Sequence, residues 1–290
     1  MTRTISRSVI FVAMLLSVLL VRDAWRVRGG SEFSTNSLIG KAFQYQLQTV
    51  SGGPGLSATG GIELYPCDSH LLKCNNPKVF DIDLYGPNGR TPNAEVVAAI
   101  HRVGGYAICY IDAGTWEDWR PDANVFPSYL LGLPNGWPGE RWLNISDLGV
   151  LLPIMKKRVA ECARAGFNAV EFDNVDGYTN DTGFTITAKE QIRYNEALAR
   201  LAHIYGLAVG LKNDYGQIRT LESYFDFAVD EQCVQYHSCN LVEPFISAGK
   251  AVFDVEYEGR VLDNCRRLPK GISLTQKSLA LLPLPYGVCA

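Results

Sequence analysis

The chain has 290 residues, 47% hydrophobic and 20% charged, enough to bury a substantial core and too apolar for a disordered segment. Its formal charge of −3 hides an asymmetry: residues 1–30 carry five Arg against one Asp, and the remainder holds 22 basic against 29 acidic residues. Such an acidic body disfavours nucleic acid and anionic lipid as partners and attracts cationic ligands.

At the N-terminus, Arg3 and Arg7 precede an apolar run over residues 9–21, followed by Arg22 and Asp23, the layout of an export signal. As a helix that run is about 20 Å long, short of a hydrocarbon thickness of about 30 Å. Residues 1–30 are therefore expected to be a signal peptide or, if retained, an N-terminal anchor. Residues 31–40 read as a polar linker and residues 41–290 as the main domain of a secreted, monomeric protein. Eight cysteines in an exported chain point to disulfides rather than metal ligands. The close pairs are Cys67 with Cys74, Cys233 with Cys239, and Cys265 with Cys289, while Cys109 and Cys162 are expected to be buried thiols. The sequons at Asn144 and Asn180 would permit glycosylation in a eukaryotic secretory route.

Short apolar runs predict eight strands, over residues 42–47, 79–84, 106–111, 169–173, 208–212, 226–229, 251–256 and 271–274. Helical spacing lies between them, as in Ile154, Val159, Cys162 and Ala163, or Ile192, Leu198, Leu201 and Ile204. Pro92-Asn93 and Pro153 are expected to start helices, and Gly166 and Gly206 to cap them in left-handed conformation. Eight strands alternating with helices predict an α/β fold, a single (β/α)8 TIM-type barrel, since parallel neighbours need crossover helices and closure removes both sheet edges. The open doubly wound alternative lacks a Gly-x-Gly-x-x-Gly turn, so no dinucleotide cofactor is expected. The Trp-rich segment of residues 115–147, after strand 3, is too long for an ordinary strand-to-helix loop and is expected to shape a binding cleft.

In a barrel the C-terminal strand ends share one rim, here carrying Tyr45, Asp81, Asp83, Asp112, Asp173, Asn174, Lys212, Asn213, Asp230, Glu231 and Glu256. Two opposed carboxylates suit glycoside cleavage, one meeting the anomeric centre and the other protonating the leaving oxygen. Paired carboxylates also hold divalent cations or cap helices, so spacing alone leaves those readings open. Histidine placement argues against a metallohydrolase, with no metal expected, and no Gly-x-Ser-x-Gly elbow supports a serine hydrolase. Trp116, Trp119, Trp137 and Trp142 offer apolar faces for sugar rings.

Several segments resemble a known family: FQYQL at 43–47, DIDLY at 81–85, ICYIDAGTWEDWR at 108–120, GWPGERWL at 136–143, VEFDNVDGY at 170–178, GLKND at 210–214 and FAVDEQC at 227–233. Together they are similar to glycoside hydrolase family 114, the endo-α-1,4-polygalactosaminidases. The resemblance implies a (β/α)8 barrel that cleaves α-1,4-linked galactosamine polymer internally, with Asp173 as nucleophile or cation stabiliser and Glu231 as general acid and base. A cationic galactosamine-containing polysaccharide is then the expected partner. Tyr45, Asp81, Asp83, Tyr110, Asp112, Trp116, Asn174, Asp176, Lys212, Asn213, Asp230 and Glu256 are the candidate substrate contacts. The pattern departs at Asp230, where the family usually has Asn, and over residues 236–239. Two other readings remain: an α-glycosidase of another glycan, and a carbohydrate-binding protein without turnover.

Overall fold

The computed structural model describes residues 35–50, 58–66 and 76–289. The expected signal or anchor and the expected Cys67–Cys74 pair lie outside the described residues. Eight parallel strands follow one another around the sheet: β1 (Phe43–Gln46), β2 (Val79–Asp83), β3 (Tyr106–Asp112), β4 (Ala169–Asp173), β5 (Ala208–Lys212), β6 (Phe227–Glu231), β7 (Ala251–Glu256) and β8 (Ile272–Gln276). A ninth, β9 (Gly287–Cys289), adds antiparallel to β8. All eight predicted strands form, with ends moved by at most two residues. The strands are short and alternate with α1 (Ala94–Arg102), α2 (Leu148–Ala165), α3 (Ala188–Ile204), α4 (Ile218–Leu221), α5 (Glu243–Ser247) and α6 (Val261–Arg267). No helix among the described residues is long and apolar enough to cross a membrane.

Register fixes which side chains point inward. One inner layer is aromatic: Phe43 stacks on Phe253 at 4.6 Å between centroids, and Phe227 meets Phe253 edge-on at 6.2 Å. Gly210 makes room for this layer, because a Cβ there would lie 2.4 Å from the Phe227 ring. Outward positions such as Phe80, Ile82, Val170, Phe172, Val209 and Leu211 are buried against the helices in one continuous core. The barrel is thus filled rather than hollow, and chemistry is confined to its mouth.

The barrel is nearly closed. Among the described residues no backbone ladder joins β1 to β8, and side chains hold the seam. Lys277, only 1% exposed, donates to the Gln44 side chain at 2.9 Å and to the carbonyls of Leu282 and Pro283 at 2.6 and 3.1 Å. Its three acceptors are neutral, and burial pushes its pKa down to about 7.

The long segment after β3 folds into a three-stranded antiparallel sheet, with Glu140–Leu143 between Thr115–Glu117 and Leu131–Pro134. Gly114 begins this excursion where a Cβ would overlap the Asn174 carbonyl oxygen at 1.6 Å, so the chain must cross the end of β4 without a side chain.

Two expectations are corrected. Pro153 does not start α2; Asp147 caps the helix five residues before Leu152, its side chain accepting from the Val150 amide at 3.3 Å. Pro153 sits in the second turn on the solvent side, where water can take the carbonyl it leaves free. Cys109 and Cys162 are buried but are not thiols: they form a disulfide joining the outer face of β3 to α2. Their 53-residue separation gave no local cue. The expected pairs Cys233–Cys239 and Cys265–Cys289 are present. Gly166 and Gly206 take positive φ of 89° and 74° after their helices, as expected.

Of the three disulfides among the described residues, the 109–162 cross-link closes the longest loop and should restrict the unfolded chain most. Cys162→Ala is expected to lower the unfolding free energy by about 4 kcal/mol, measured by denaturant titration against the wild type. Removal of Cys239, whose loop spans six residues, should cost distinctly less.

Candidate active site

A cavity of about 740 Å³ opens at the C-terminal ends of the strands. Lys212, ending β5, stands at its floor with 2% of its side chain exposed. Its ammonium lies 2.9 Å from Asp173 Oδ1 at the end of β4, 3.2 Å from Glu231 Oε2 at the end of β6, and 3.7 Å from Glu171 Oε1 one layer below. It also donates to the Tyr45 hydroxyl at 3.3 Å. The two contacts laid end to end put the facing oxygens of Asp173 and Glu231 within about 6 Å of each other.

The two carboxylates are held differently. Asp173 accepts from Lys212, from the Tyr110 hydroxyl at 2.8 Å and from the Asn174 amide at 2.9 Å. Burial pushes its pKa up, but the Lys212 charge and these donors outweigh burial and hold it below the usual carboxylate value. Its ion-pair stability is therefore present above the unfolded pKa of about 3.9 and lost only as pH falls through the lower folded value. Glu231 has the same ammonium on Oε2 and the Tyr257 hydroxyl on Oε1, while its amide is fixed by Asn213 Oδ1 at 3.0 Å.

Beneath the pair, burial raises the pKa values of Asp81 and Glu171 well above the carboxylate range, Lys212 opposing only in part. Their neutral forms are favoured, which leaves the ammonium to the two carboxylates at the mouth. Burial also lowers the affinity of Lys212 for its proton, but Asp173 and Glu231 more than compensate, and it remains a cation.

The strand ends that deliver these groups all turn sharply. Asn174, Asn213, Asp214 and Gln232, following Asp173, Lys212 and Glu231, have φ of +59°, +48°, +46° and +60°. Asn and Asp tolerate the left-handed region; Gln232 does so at a cost of about 1 kcal/mol. Each turn takes the chain out of the ladder immediately after a side chain that faces the cavity.

Of the expected contacts, Tyr45, Asp83, Tyr110, Asn174, Asp176, Lys212 and Asn213 line the cavity with Asp173 and Glu231. Five do not. Asp81 points inward one layer too deep. Asp112 is covered by Thr115, whose amide and hydroxyl donate to it at 2.7 and 2.5 Å. Asp230 and Glu256 lie on the outer face of their strands, Glu256 accepting the Val234 amide at 2.7 Å. Trp116 packs into the loop sheet and donates to the Ala123 carbonyl at 2.9 Å. Strand alternation separates the even-numbered Asp230 and Glu256 from the odd-numbered Glu231.

Residues outside that set complete the cavity. Trp119 and Trp137, about half exposed, stand at its edge with Trp142 deeper in. Asn135, Glu117, Arg120 and Glu140 come from the loop sheet, Tyr257 from beyond β7, and residues 279–281 from beyond β8. The aromatic faces and the GWPGERWL segment signalled the first group. Tyr257 carried no signal, since its role depends on β7 ending beside β6.

The profile of Glycoside-hydrolase family GH114 matches residues 33–279. The chain belongs to this family. Its fold is similar to that of Ega3 from Aspergillus fumigatus, solved in complex with galactosamine, with a TM-score of 0.70 and 29% identity over 87% of this chain and 96% of that one. The glycoside hydrolase domain of PelA from Pseudomonas aeruginosa shares the fold at a TM-score of 0.57 and 12% identity, covering 85% and 96%. No curated protein sequence matches the chain. The protein is a glycoside hydrolase with a TIM-type barrel.

Tyr110→Phe removes one donor from Asp173 without altering the ring. The Asp173 pKa should then rise, read as a shift to higher pH in the titration of its carboxyl carbon by NMR, with the fold unchanged by circular dichroism.

Proposed function

We propose that this GH114 member cleaves α-1,4-linked galactosamine polymer within the chain, using Asp173 as nucleophile and Glu231 as general acid and base. The observation that carries the mechanism is the shared contact of Asp173 and Glu231 with one ammonium. Three donors converge on Asp173 and keep it ionised, as attack on an anomeric carbon requires. Glu231, reached by one ammonium and one hydroxyl, delivers a proton to the departing oxygen and then activates water. Facing oxygens within about 6 Å favour retention of anomeric configuration over inversion, which needs room for a water between the acids.

The substrate reading rests on family membership, on the galactosamine held by Ega3, and on charge. Deacetylated galactosamine is polycationic, and the cavity holds Asp173, Glu231, Asp176 and Glu140 on its walls. The half-exposed Trp119 and Trp137 suit the apolar faces of further sugar units along an open cleft, which supports internal cleavage. Three disulfides among the described residues support the exported destination inferred from residues 1–30.

Wild-type protein should release new reducing ends from polygalactosamine, with first products in the α configuration by NMR. Asp173→Asn and Glu231→Gln should each lower kcat by about a thousandfold with unchanged circular dichroism. A folded, fully active Glu231→Gln variant excludes the mechanism, and product formation only from another glycan excludes the substrate. Turnover should also fall as salt is raised from about 0.05 to 0.5 M, because screening weakens attraction between the acidic cleft and a cationic chain.

A further inference from the structure

We infer that Glu140 reads the charge of the sugar amine in the cavity and so sets the preference for deacetylated over acetylated galactosamine. The inference rests on the substrate proposed above and adds the residue that discriminates.

The loop sheet brings three carboxylates together, Asp112, Glu117 and Glu140, with ligand atoms within 4.8 Å of one another. Two of them are already committed. Glu117 forms a two-pronged ion pair with Arg120, at 2.5 and 2.6 Å, and Arg120 also takes Asp83 at 2.7 Å. Asp112 is buried and accepts from Thr115 and, at 2.8 Å, from Asn174. Glu140, the cross-strand partner of Glu117, is half-buried on the cavity wall and accepts only from neutral groups, Asn135 Nδ2 at 2.6 Å and Thr115 Oγ1 at 3.3 Å. Among the described residues none forms an ion pair with it.

Glu140 is bonded only to neutral donors and lies beside two other acids; Arg120, the cation whose field reaches it, is bonded to Glu117 and Asp83, so the open side of Glu140 toward the cavity is left for a further cation. Burial and the field of Asp173 raise its pKa, and the Asn135 and Thr115 bonds and the charge of Arg120 oppose the rise only in part. A primary ammonium supplies three donors and the missing charge, whereas an acetamido group supplies one weaker donor and a bulky acyl group. Thr115 and Asn135 hold the carboxylate in one orientation, so discrimination needs no rearrangement of the wall.

Asp176 is another acid on the wall, but it is less suited, because the charge of Lys212 already acts on it. Its Oδ1 accepts from Asn180 at 3.4 Å, and it sits against Asp214, a second raised acid, with Tyr178 nearby. Adjacent carboxyl groups share the field of any cation there.

The decisive measurement is the ratio of kcat/KM on fully deacetylated polygalactosamine to that on the same polymer chemically N-acetylated, for wild type, Glu140→Gln and Asp176→Asn. Glu140→Gln keeps shape and the Asn135 and Thr115 contacts, so its thermal midpoint should stay within a few degrees of wild type. Its ratio should fall about tenfold or more, mostly through KM on the deacetylated polymer, and its rates should become less dependent on salt than those of the wild type. Glu140→Asp, retaining the charge, should recover part of the preference. A wild-type ratio retained in Glu140→Gln, or a loss found only in Asp176→Asn, overturns the inference and leaves the substrate proposal standing. A wild type inert on both polymers overturns both.

Discussion

One buried ammonium organises this molecule. Lys212 stands among Asp173, Glu231, Glu171 and Asp81, which arrive from three other strands, and it is the cation to which all four respond. That positive charge lies between two carboxylates within about 6 Å of each other and holds Asp173 ionised in a partly desolvated mouth. The barrel supplies the rest of this arrangement: buried acids below whose pKa values burial raises, donors from Tyr45, Tyr110 and Tyr257 around, and a packed aromatic layer within the barrel. Lys212 therefore fixes Asp173 and Glu231 relative to each other and keeps Asp173 ionised.

The same logic governs the wider cleft. Counting acidic residues at the strand ends overstates the field a substrate meets. Asp83 and Glu117 share the one charge of Arg120, Asp122 is paired with Arg158, and Asp112 and Asp230 are buried away from the cavity. What remains for a cationic ligand is a smaller set, Asp176 and Glu140 together with Asp173 and Glu231, which share the one charge of Lys212. Pairing thus converts a generally acidic protein into a few directed contacts, which is a better basis for recognising one amine than a diffuse negative surface.

The excursion after β3 is the part of the chain that makes a cleft from a barrel mouth. Gly114 lets it cross the end of β4, the Asp112–Thr115 bonds anchor its first strand, and its central strand carries both Glu140 and Trp142. Binding groups on a paired sheet are held more firmly than on an open loop. The opposite wall, residues 279–281, depends on the lysine-stitched seam, with Gln48 donating its amide to the Leu281 carbonyl. The two walls are therefore built by different means, one by strand pairing and one by side chains.

The strands were legible because a buried parallel strand must be nearly all apolar, and the acids at their ends because burial stops there. Asp173, Lys212 and Glu231 could be placed on one rim from that pattern alone. Whether a rim residue faces the mouth was decided by register and depth: one position moves Asp230 to the outer face, and two move Asp81 under the floor. Cys109–Cys162, Tyr257 and Glu140 were equally invisible, since each acquires its role from a neighbour 26 or more residues away, or from the one partner it lacks. Sequence determines what each segment must bury, because that is a local property of its side chains. The pairing of charges is not local, and only the closed chain settles which acid is left without a cation.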